Sequence, residues 1–209
     1  MLSPYIIVLI LLVFFTFLSE CSKDIEKIIF PIFVLLLFFF LSFRYGQGTD
    51  FWGYYYLFSC INSFSDAILN PRDIHSEIGM RLVYALFDDN YSLMLFCLSG
   101  INMILFFKLV KNFQFNRLLS LLIFFPTCYL TYYFSAIRQG LALSIFLGFL
   151  IEFVIKKKWK MFFFVVFIAS TFHISAIILY VIPFVLKYRF CELRKSVFVS
   201  FFVGLGIFL

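Results

Sequence analysis

Long apolar runs separated by short polar loops extend along the whole chain of 209 residues. A membrane-spanning helix needs about 20 apolar residues, and the runs approach that length once flanking Tyr, Ser and Phe are included. We therefore predict that the runs form helices across a bilayer. The predicted runs are 4–18, 28–42, 91–110, 117–134, 139–155, 161–186 and 196–209.

The run from Met161 to Leu186 differs from the others because basic loops flank it at both ends. We expect it to break within its polar centre, 170–175, and to form a hairpin whose polar apex lies near the outer surface. Such broken helices are tolerated where the freed backbone faces protein or a wet cavity. The alternative is one long tilted helix. With the hairpin, the pattern predicts an all-α polytopic integral membrane protein with a bundle of about 7–8 transmembrane helices.

Lysine and arginine are sorted between the loops. Loops rich in these residues stay on the cytoplasmic side of a bilayer, and an outside amino terminus puts 13 of the 17 basic residues inside. The other four are all arginine and fall outside: Arg44, Arg72, Arg81 and Arg138. The inside set is Lys23, Lys27, Lys108, Lys111, Arg117, Lys156, Lys157, Lys158, Lys160, Lys187, Arg189, Arg194 and Lys195.

The same sorting defines the domain organisation. We expect residues 1–209 to form a single transmembrane bundle and 43–90 to form one long extracytoplasmic loop that contains short helices, including the apolar piece Ile78 to Phe87. The aromatic cluster within 51–56 fits a belt at the membrane interface. It fits a platform for stacking sugars equally well.

Composition excludes several classes of protein. The chain is 64% hydrophobic and 13% charged, whereas a soluble domain is about 25% charged. The formal charge of +6 comes from the inner loops of a membrane protein, so we expect no nucleic-acid partner. No compact Cys/His cluster with metal-ligand spacing occurs, so we expect no metal and no cofactor.

Small residues recur at every fourth position in the run near 139–155. The four are Ala136, Gly140, Ser144 and Gly148. They line one face of a helix and allow a neighbouring backbone to approach closely. We therefore expect this helix to be central.

Candidate chemistry lies in polar residues at the predicted outer ends of the helices, because charged groups at membrane depth usually face an interior cavity. Arg138 and its neighbour Gln139 begin the small-residue helix, and a guanidinium can grip a phosphate with two N–H groups. The alternative for Arg138 is an interfacial anchor. His173 lies in the predicted hairpin break, where an imidazole can move a proton to or from a hydroxyl, although a lone histidine can equally be a hydrogen-bonded helix partner.

The loop that follows the second run carries the remaining candidates. Its glycines permit backbone conformations that bring a ligand close, and they lie between Arg44 and Asp50. Tyr45 and Thr49 belong to the same segment. Further along the loop, Glu77 supplies a second carboxylate.

Four strings in this chain resemble the recurring motifs of the EpsG family, in the expected order. They are FRYGQGTDFWGYYYLF from Phe43, SEIGMRLVYALF from Ser76, IRQGLALSIFLG from Ile137 and STFHISAIIL from Ser170. Members of the family are bacterial membrane proteins, similar in role to Wzy polymerases, that assemble exopolysaccharide or O-antigen chains. The family architecture continues through further spans, so we expect 1–209 to be its N-terminal part.

The resemblance implies glycosyl transfer at the outer face of the bacterial cytoplasmic membrane. Such polymerases join repeat units carried on undecaprenyl diphosphate, beside other assembly proteins such as a flippase and a chain-length regulator. On this basis Arg138 and Arg44 are candidates to bind the diphosphate. Gln139, Tyr45 and Thr49 are further candidates to bind diphosphate or sugar. The candidate bases are, in order, His173, Glu77 and Asp50.

Three other functions are alternatives. A flippase or transporter of lipid-linked sugars would bind the diphosphate without breaking a bond, and broken helices are common around transporter sites. A membrane O-acyltransferase acting on glycans would use His173 as its base. A structural membrane subunit would use none of this chemistry.

Overall fold

The computed structural model describes residues 3–61, 63–69, 76–87, 90–111 and 116–183. Within these ranges the chain is helical and contains no β-strand. A π-helical segment, Phe125–Tyr133, follows α7, and a 3-10 segment, Ile174–Val181, follows α9. The α-helices are α1 (Pro4–Cys21), α2 (Lys23–Ser42), α3 (Phe51–Ser59), α4 (Phe64–Leu69), α5 (Ile78–Phe87), α6 (Tyr91–Lys111), α7 (Arg117–Phe124), α8 (Ile137–Ile155) and α9 (Trp159–Phe172).

Among the described residues, four helices are long and apolar enough to cross a membrane: α1, α2, α6 and α8. The prediction of 7–8 spans is therefore confirmed only in its coarser form, an all-helical membrane protein. The run 117–134 changes from α- to π-helical geometry at Phe125, and α9 has 14 residues, fewer than a span requires. The run 196–209 lies outside the described residues.

In the described residues, small apolar clusters around Phe162 and Ala169 pack α9 against α8, and two larger apolar cores join the other helices. One joins α1, α2, α7 and the π-helical segment around Leu37, Phe106 and Phe125. The other joins α3, α5 and α8 around Tyr84 and Met94. Helix α6 contributes to both cores, so the short helices of the 43–90 segment pack against the long ones.

The small-residue face of α8 makes the close contacts that its spacing predicts. A Cβ atom added to Gly140 would lie 2.6 Å from the carbonyl oxygen of Tyr132, and one added to Gly148 would lie 2.8 Å from Leu105. Ser144 Oγ lies 2.6 Å from the Tyr133 hydroxyl. Helix α8 is thus pressed against both α6 and the π-helical segment.

The chain breaks at His173, inside the predicted interval. Helix α9 ends at Phe172, and His173 has an extended backbone with φ −154° and ψ 124°. The 3-10 segment then folds back on α9, because the rings of Phe163 and Tyr180 stack with centroids 5.8 Å apart. The described residues therefore form the two arms of a hairpin rather than one long helix.

Loops that the charge pattern assigns to the inner side lie at one end of the bundle. Asn116 Nδ2 donates to Glu20 Oε1 at 2.8 Å, and Lys108 lies 3.8 Å from Glu152 near the end of α8. We call this the inner end, and the end that carries Arg138 the outer end. The basic loop 187–195 and Arg72 lie outside the described residues, and the orientation in a membrane stays a prediction.

Candidate active site at the outer end of the bundle

The carboxylate of Glu77 connects two predicted site residues at the outer end. Its Oε2 accepts from Arg138 Nη1 at 2.6 Å, and its Oε1 lies 3.0 Å from His173 Nδ1. Gln139 Nε2 lies 3.1 Å from the other ring nitrogen of His173. Four residues predicted from sequence are thus brought into one hydrogen-bonded cluster, which we call the outer cluster.

Three separate segments supply the outer cluster. Glu77 lies one residue before α5, Arg138 and Gln139 lie in the first turn of α8, and His173 lies at the break after α9. Glu77 Oε1 also accepts from the backbone N–H of Ile174 at 3.2 Å. The carboxylate therefore gives a hydrogen-bond partner to a backbone N–H group that the break in the helix leaves unpaired.

Close packing of α5 on α9 makes this arrangement possible. A Cβ atom on Gly79 would lie 2.6 Å from Thr171 Oγ1 and 2.7 Å from the Thr171 carbonyl oxygen. Any side chain at this position would push α5 away from α9. Glycine at position 79 is thus what lets Glu77 reach His173.

The partners of His173 define its proton positions. Nδ1 faces a carboxylate, which only accepts, so Nδ1 carries a proton. In the neutral ring Nε2 then presents a lone pair, and the amide N–H of Gln139 points to it. The outer cluster therefore holds an imidazole in the tautomer that can take a proton at Nε2.

The electrostatics of the outer cluster keep Glu77 ionised. Burial raises the pKa of Glu77, but the hydrogen bond from His173 and the charge of Arg138 outweigh burial and bring the pKa to about 2. The side chains of Glu77 and His173 are each 17% exposed, and that of Arg138 is 22% exposed. The ion pair is thus partly shielded while remaining within reach of a ligand.

Helix α3 covers one side of the outer cluster. The guanidinium carbon of Arg138 lies 5.6 Å from the ring centroid of Tyr54, a cation–π contact. Residues Phe51, Tyr54 and Phe58 of α3 face inward, whereas Trp52 and Tyr56 are exposed. The exposed rings fit either alternative, an interfacial belt or a sugar platform.

Arg44 occupies a different position from Arg138. It is 6% exposed, and its Nη1 donates to the Tyr133 carbonyl oxygen at 2.9 Å. Its guanidinium carbon lies 5.3 Å from the Phe134 ring centroid. Arg44 thus fastens the end of α2 to the end of the π-helical segment.

The glycine-containing segment after Arg44 lies along the entry to α8. Gly46 and Gly48 both have positive φ, 64° and 96°, which favours glycine. A Cβ atom on Gly48 would lie 2.8 Å from the Phe134 carbonyl oxygen. The segment can therefore adopt this path only with glycine at position 48.

The other candidates in this segment lie at the surface. Tyr45 is exposed, and its ring contacts Trp52 edge to face at 5.9 Å. Thr49 and Asp50 are also exposed. The backbone carbonyl of Asp50 accepts from the N–H of Tyr54 at 3.0 Å, so Asp50 begins the helix that covers Arg138 without belonging to the outer cluster.

Sequence reasoning did not identify Tyr54 or Gly79 as site residues. Tyr54 is one of several aromatic residues in a row, and only its inward position on α3 separates it from Tyr55 and Tyr56. Gly79 has a signal, because it stands two residues after Glu77 within a motif. A glycine inside a helical pattern usually has a packing reason, and here the reason is Thr171.

Comparison with known protein families gives one match. The sequence model of the EpsG family matches residues 27–209. That range contains every residue of the outer cluster and all of the glycine-containing segment. Comparisons with curated proteins and with solved structures give no match.

Proposed function

Because this chain belongs to the EpsG family, a family associated with polysaccharide biosynthesis at membranes, we propose that it is a glycosyltransferase that polymerises surface polysaccharide. Its substrates would be oligosaccharide repeat units linked to undecaprenyl diphosphate. The product would be O-antigen, capsule or exopolysaccharide. Its location would be the bacterial cytoplasmic membrane, beside a flippase and a chain-length regulator.

The observation that carries this proposal is the Glu77 carboxylate held between Arg138 and His173. Transfer of a glycan from a diphosphate carrier needs a cation at the leaving group and a base at the attacking hydroxyl. The outer cluster supplies both within one hydrogen-bonded unit. It lies at the end of the bundle opposite the basic loops, where the charge pattern predicts the outer face.

Arg138 would stabilise the leaving group. In the proposed step the hydroxyl oxygen of the acceptor sugar attacks the anomeric carbon of the donor glycan. The bond from that carbon to the diphosphate oxygen breaks, and its electron pair stays with undecaprenyl diphosphate. Charge that develops on a diphosphate is stabilised by a preorganised cation, and the bond to Glu77 fixes the orientation of the Arg138 guanidinium.

His173 would take the proton of the attacking hydroxyl at Nε2. The acceptor hydroxyl would replace Gln139 at this nitrogen, and the Gln139 amide could then hold a sugar oxygen. Glu77 is a weaker candidate for the base because a carboxylate with a pKa of about 2 rarely holds a proton near neutral pH. We assign Glu77 the role of orienting His173 and Arg138.

Replacement of Arg138 by Ala and by Lys tests this function in cells that lack the native copy. Lysine keeps the charge but lacks the planar fork that binds phosphate with two N–H groups. We expect both variants to lose long polymer while single-repeat glycan still reaches the surface, as measured by gel analysis of chain length. Arg117→Lys at the inner end is the matched control, and it should keep full chain length.

Other results would support the alternative functions. Loss of all surface glycan, including single repeats, would indicate a flippase. Unchanged chain length with altered acylation would indicate an O-acyltransferase. Unchanged chain length and composition in both Arg138 variants would refute the role of this residue.

A further inference from the structure

Arg44 is a buried cation that has no acidic partner among the described residues. It is 6% exposed, and none of the ion pairs in the described part of the chain includes it. Asp50, the nearest acidic residue along the sequence, is exposed. Arg44 Nε is buried and has no hydrogen-bond partner in the described residues. Because an unpaired charge is costly to bury, this position favours an anion.

Phenol hydroxyls surround Arg44 in place of carboxylates. The charge of Arg44 interacts with four of them: Tyr91, Tyr129, Tyr54 and Tyr5. Burial lowers the pKa of Arg44, but a guanidinium keeps its proton in proteins. The Tyr129 hydroxyl already donates to a backbone carbonyl of α2, whereas the buried Tyr91 hydroxyl has no hydrogen-bond partner in the described residues. Arg44 and Tyr91 therefore each offer an unpaired donor in one buried region.

Two further tyrosines connect this region to the outer cluster. The Tyr54 hydroxyl shares a hydrogen bond with the side chain of Arg138 and also interacts with the charge of Arg44. The buried Tyr84 hydroxyl interacts with Tyr91 and with Arg138, and it too lacks a hydrogen-bond partner in the described residues. A set of buried hydroxyls thus leads from one guanidinium to the other.

Helix α3 covers these hydroxyls. The ring of Tyr91 contacts Phe51 and Phe58 with centroids 5.5 Å and 5.2 Å apart, and Phe58 contacts Tyr84 at 5.9 Å. Tyr54 lies on the same inward face of α3. A phosphate that binds Arg138 would compete with Tyr54 for the guanidinium, so its arrival would release Tyr54 from that hydrogen bond.

The chemistry of the region identifies the class of ligand. Buried polar groups without partners are uncommon in folded proteins, and a guanidinium forms its strongest hydrogen bonds with carboxylate or phosphate oxygens. Water could bind the hydroxyls of Tyr84 and Tyr91 but would leave the charge of Arg44 uncompensated. A ligand with two linked anionic groups could instead reach Arg138 with one group and Arg44 with the other. A diphosphate has this form.

We propose that Arg44 and Tyr91 form a second phosphate site behind Tyr54, and that it binds the phosphate of the carrier that does not lie at Arg138. This inference rests on the proposed function, which supplies a substrate with a diphosphate. The Tyr54 side chain turns aside when the first phosphate takes its place at Arg138. The enzyme thereby distinguishes a carrier with two phosphates from a carrier with one.

Tyr91→Phe removes only the unpaired hydroxyl and tests the proposal. We would purify the full chain in detergent and measure by native mass spectrometry its affinities for undecaprenyl diphosphate and undecaprenyl phosphate. The ratio of these affinities reports on the second phosphate, since both carriers have the same hydrocarbon chain. A hydrogen bond to a charged group changes affinity by about tenfold or more. We therefore expect wild type to prefer the diphosphate and Tyr91→Phe to lower that preference about tenfold, with no loss of melting temperature in the ligand-free chain.

Two further variants separate ligand binding from loss of structure. Arg44→Met removes the cation and should abolish the preference for the diphosphate. Tyr129→Phe is the matched control, because its hydroxyl also interacts with Arg44 but already donates to a backbone carbonyl. It should keep the wild-type preference while lowering the melting temperature, which is the reverse of the result expected for Tyr91→Phe.

Three results would overturn the second phosphate site. One is a wild-type chain that binds both carriers equally. Another is a Tyr91→Phe variant that keeps the wild-type preference. The third is equal weakening of both carriers in Tyr91→Phe, since the hydroxyl would then not act on the second phosphate.

Inorganic diphosphate distinguishes a lipid carrier from a free anion as the ligand. It has both phosphates but no hydrocarbon chain, so we expect it to bind far more weakly than undecaprenyl diphosphate. Binding of inorganic diphosphate as tight as that of the lipid carrier would overturn the assignment of this site to a lipid-linked ligand.

The outcome for the second phosphate site is distinguishable from the outcome for the polymerase. A wild-type chain that prefers the diphosphate through Tyr91 but makes no polymer in cells would refute the polymerase and keep the site. A wild-type chain that makes polymer, with the preference unchanged in Tyr91→Phe, would overturn the site and keep the polymerase.

Discussion

Replacement of Glu77 by glutamine removes one charge and almost no volume. The wild-type carboxylate holds Arg138 at 2.6 Å, His173 at 3.0 Å and the N–H of Ile174 at 3.2 Å. The neutral amide of glutamine can accept only some of these three hydrogen bonds, because its nitrogen donates where the carboxylate accepts. The change therefore tests how much the outer cluster depends on one negative charge.

The pKa of Glu77 gives the size of the effect. It falls from 4.5 to about 2 on folding, and each unit of pKa corresponds to about 1.4 kcal/mol. Solvent that reaches this partly exposed group screens the interaction, so the ionised carboxylate contributes roughly 1–3 kcal/mol to the free energy of unfolding at neutral pH. We expect Glu77→Gln to lower the melting temperature by roughly 2–12 °C, using the scaling for chains of this length.

The pH dependence gives a second, independent check. The pKa of Glu77 is lower in the folded chain than in the unfolded chain, so its contribution is complete above pH 4.5 and is lost as the pH falls towards 2. Melting curves in detergent should therefore separate wild type from Glu77→Gln at pH 7 and bring the two together as the pH falls through this window. Glu152→Gln is the control, because Glu152 pairs with Lys156 at the exposed inner end and should change stability much less.

Two results would refute this account of Glu77. One is equal melting temperatures at pH 7. The other is a difference between the variants that stays constant from pH 7 down to the acid limit. In either case the carboxylate would not hold the outer cluster together, and its proposed role in orienting His173 would fail with it.

Other positions give further predictions. Gly79→Ala should destabilise the chain by about 1–3 kcal/mol and reduce polymer length, because its methyl group would overlap the Thr171 carbonyl. Gly53→Ala is the control, because the space around Gly53 is open. Equal melting temperatures and polymer lengths for Gly79→Ala and Gly53→Ala would contradict the prediction. Tyr129→Phe should cost about 1 kcal/mol in thermal unfolding, since its hydroxyl donates to a backbone carbonyl of α2 at 2.7 Å. Tyr84→Phe should leave the stability unchanged or raise it, because that buried hydroxyl has no partner in the described residues. A loss of stability as large as that of Tyr129→Phe would contradict this expectation.

The helices and the break between them could be predicted from the sequence because both depend on local chemistry. Apolar runs determine α1, α2, α6 and α8. In the polar interval near His173, a continued helix would bury the least apolar surface, and the chain breaks there. The number of spans could not be obtained in the same way, because run length alone does not distinguish a helix across a bilayer from α9, which ends part way.

The composition of the outer cluster was predicted better than its contacts. Arg138 was identified as a charge at the end of an apolar run, Glu77 as a carboxylate in the 43–90 loop and His173 by its place in the predicted break. Glu77 and His173 are 96 residues apart in the chain. Their pairing depends on the packing of α5 against α9, which no local pattern encodes. Arg44 was expected beside Arg138 as a second diphosphate ligand, and the structure places it on the Tyr133 carbonyl. That carbonyl is available because the π-helical segment ends at Tyr133, and the last carbonyl groups of a helix have no partner within it. The continuous apolar run 117–134 does not indicate the partner that this carbonyl takes.

The two motifs around Glu77 and His173 can be explained as one structural unit. A broken helix leaves backbone groups that need partners, and the N–H of Ile174 finds its partner in Glu77. Glu77 reaches it because Gly79 lets α5 approach Thr171. The same carboxylate then orients His173 and Arg138, so the residue that makes the break stable also aligns the groups proposed for catalysis. It follows that a variant that restores a continuous helix across 172–174 should release Glu77 and disorganise the outer cluster, even with Arg138 unchanged.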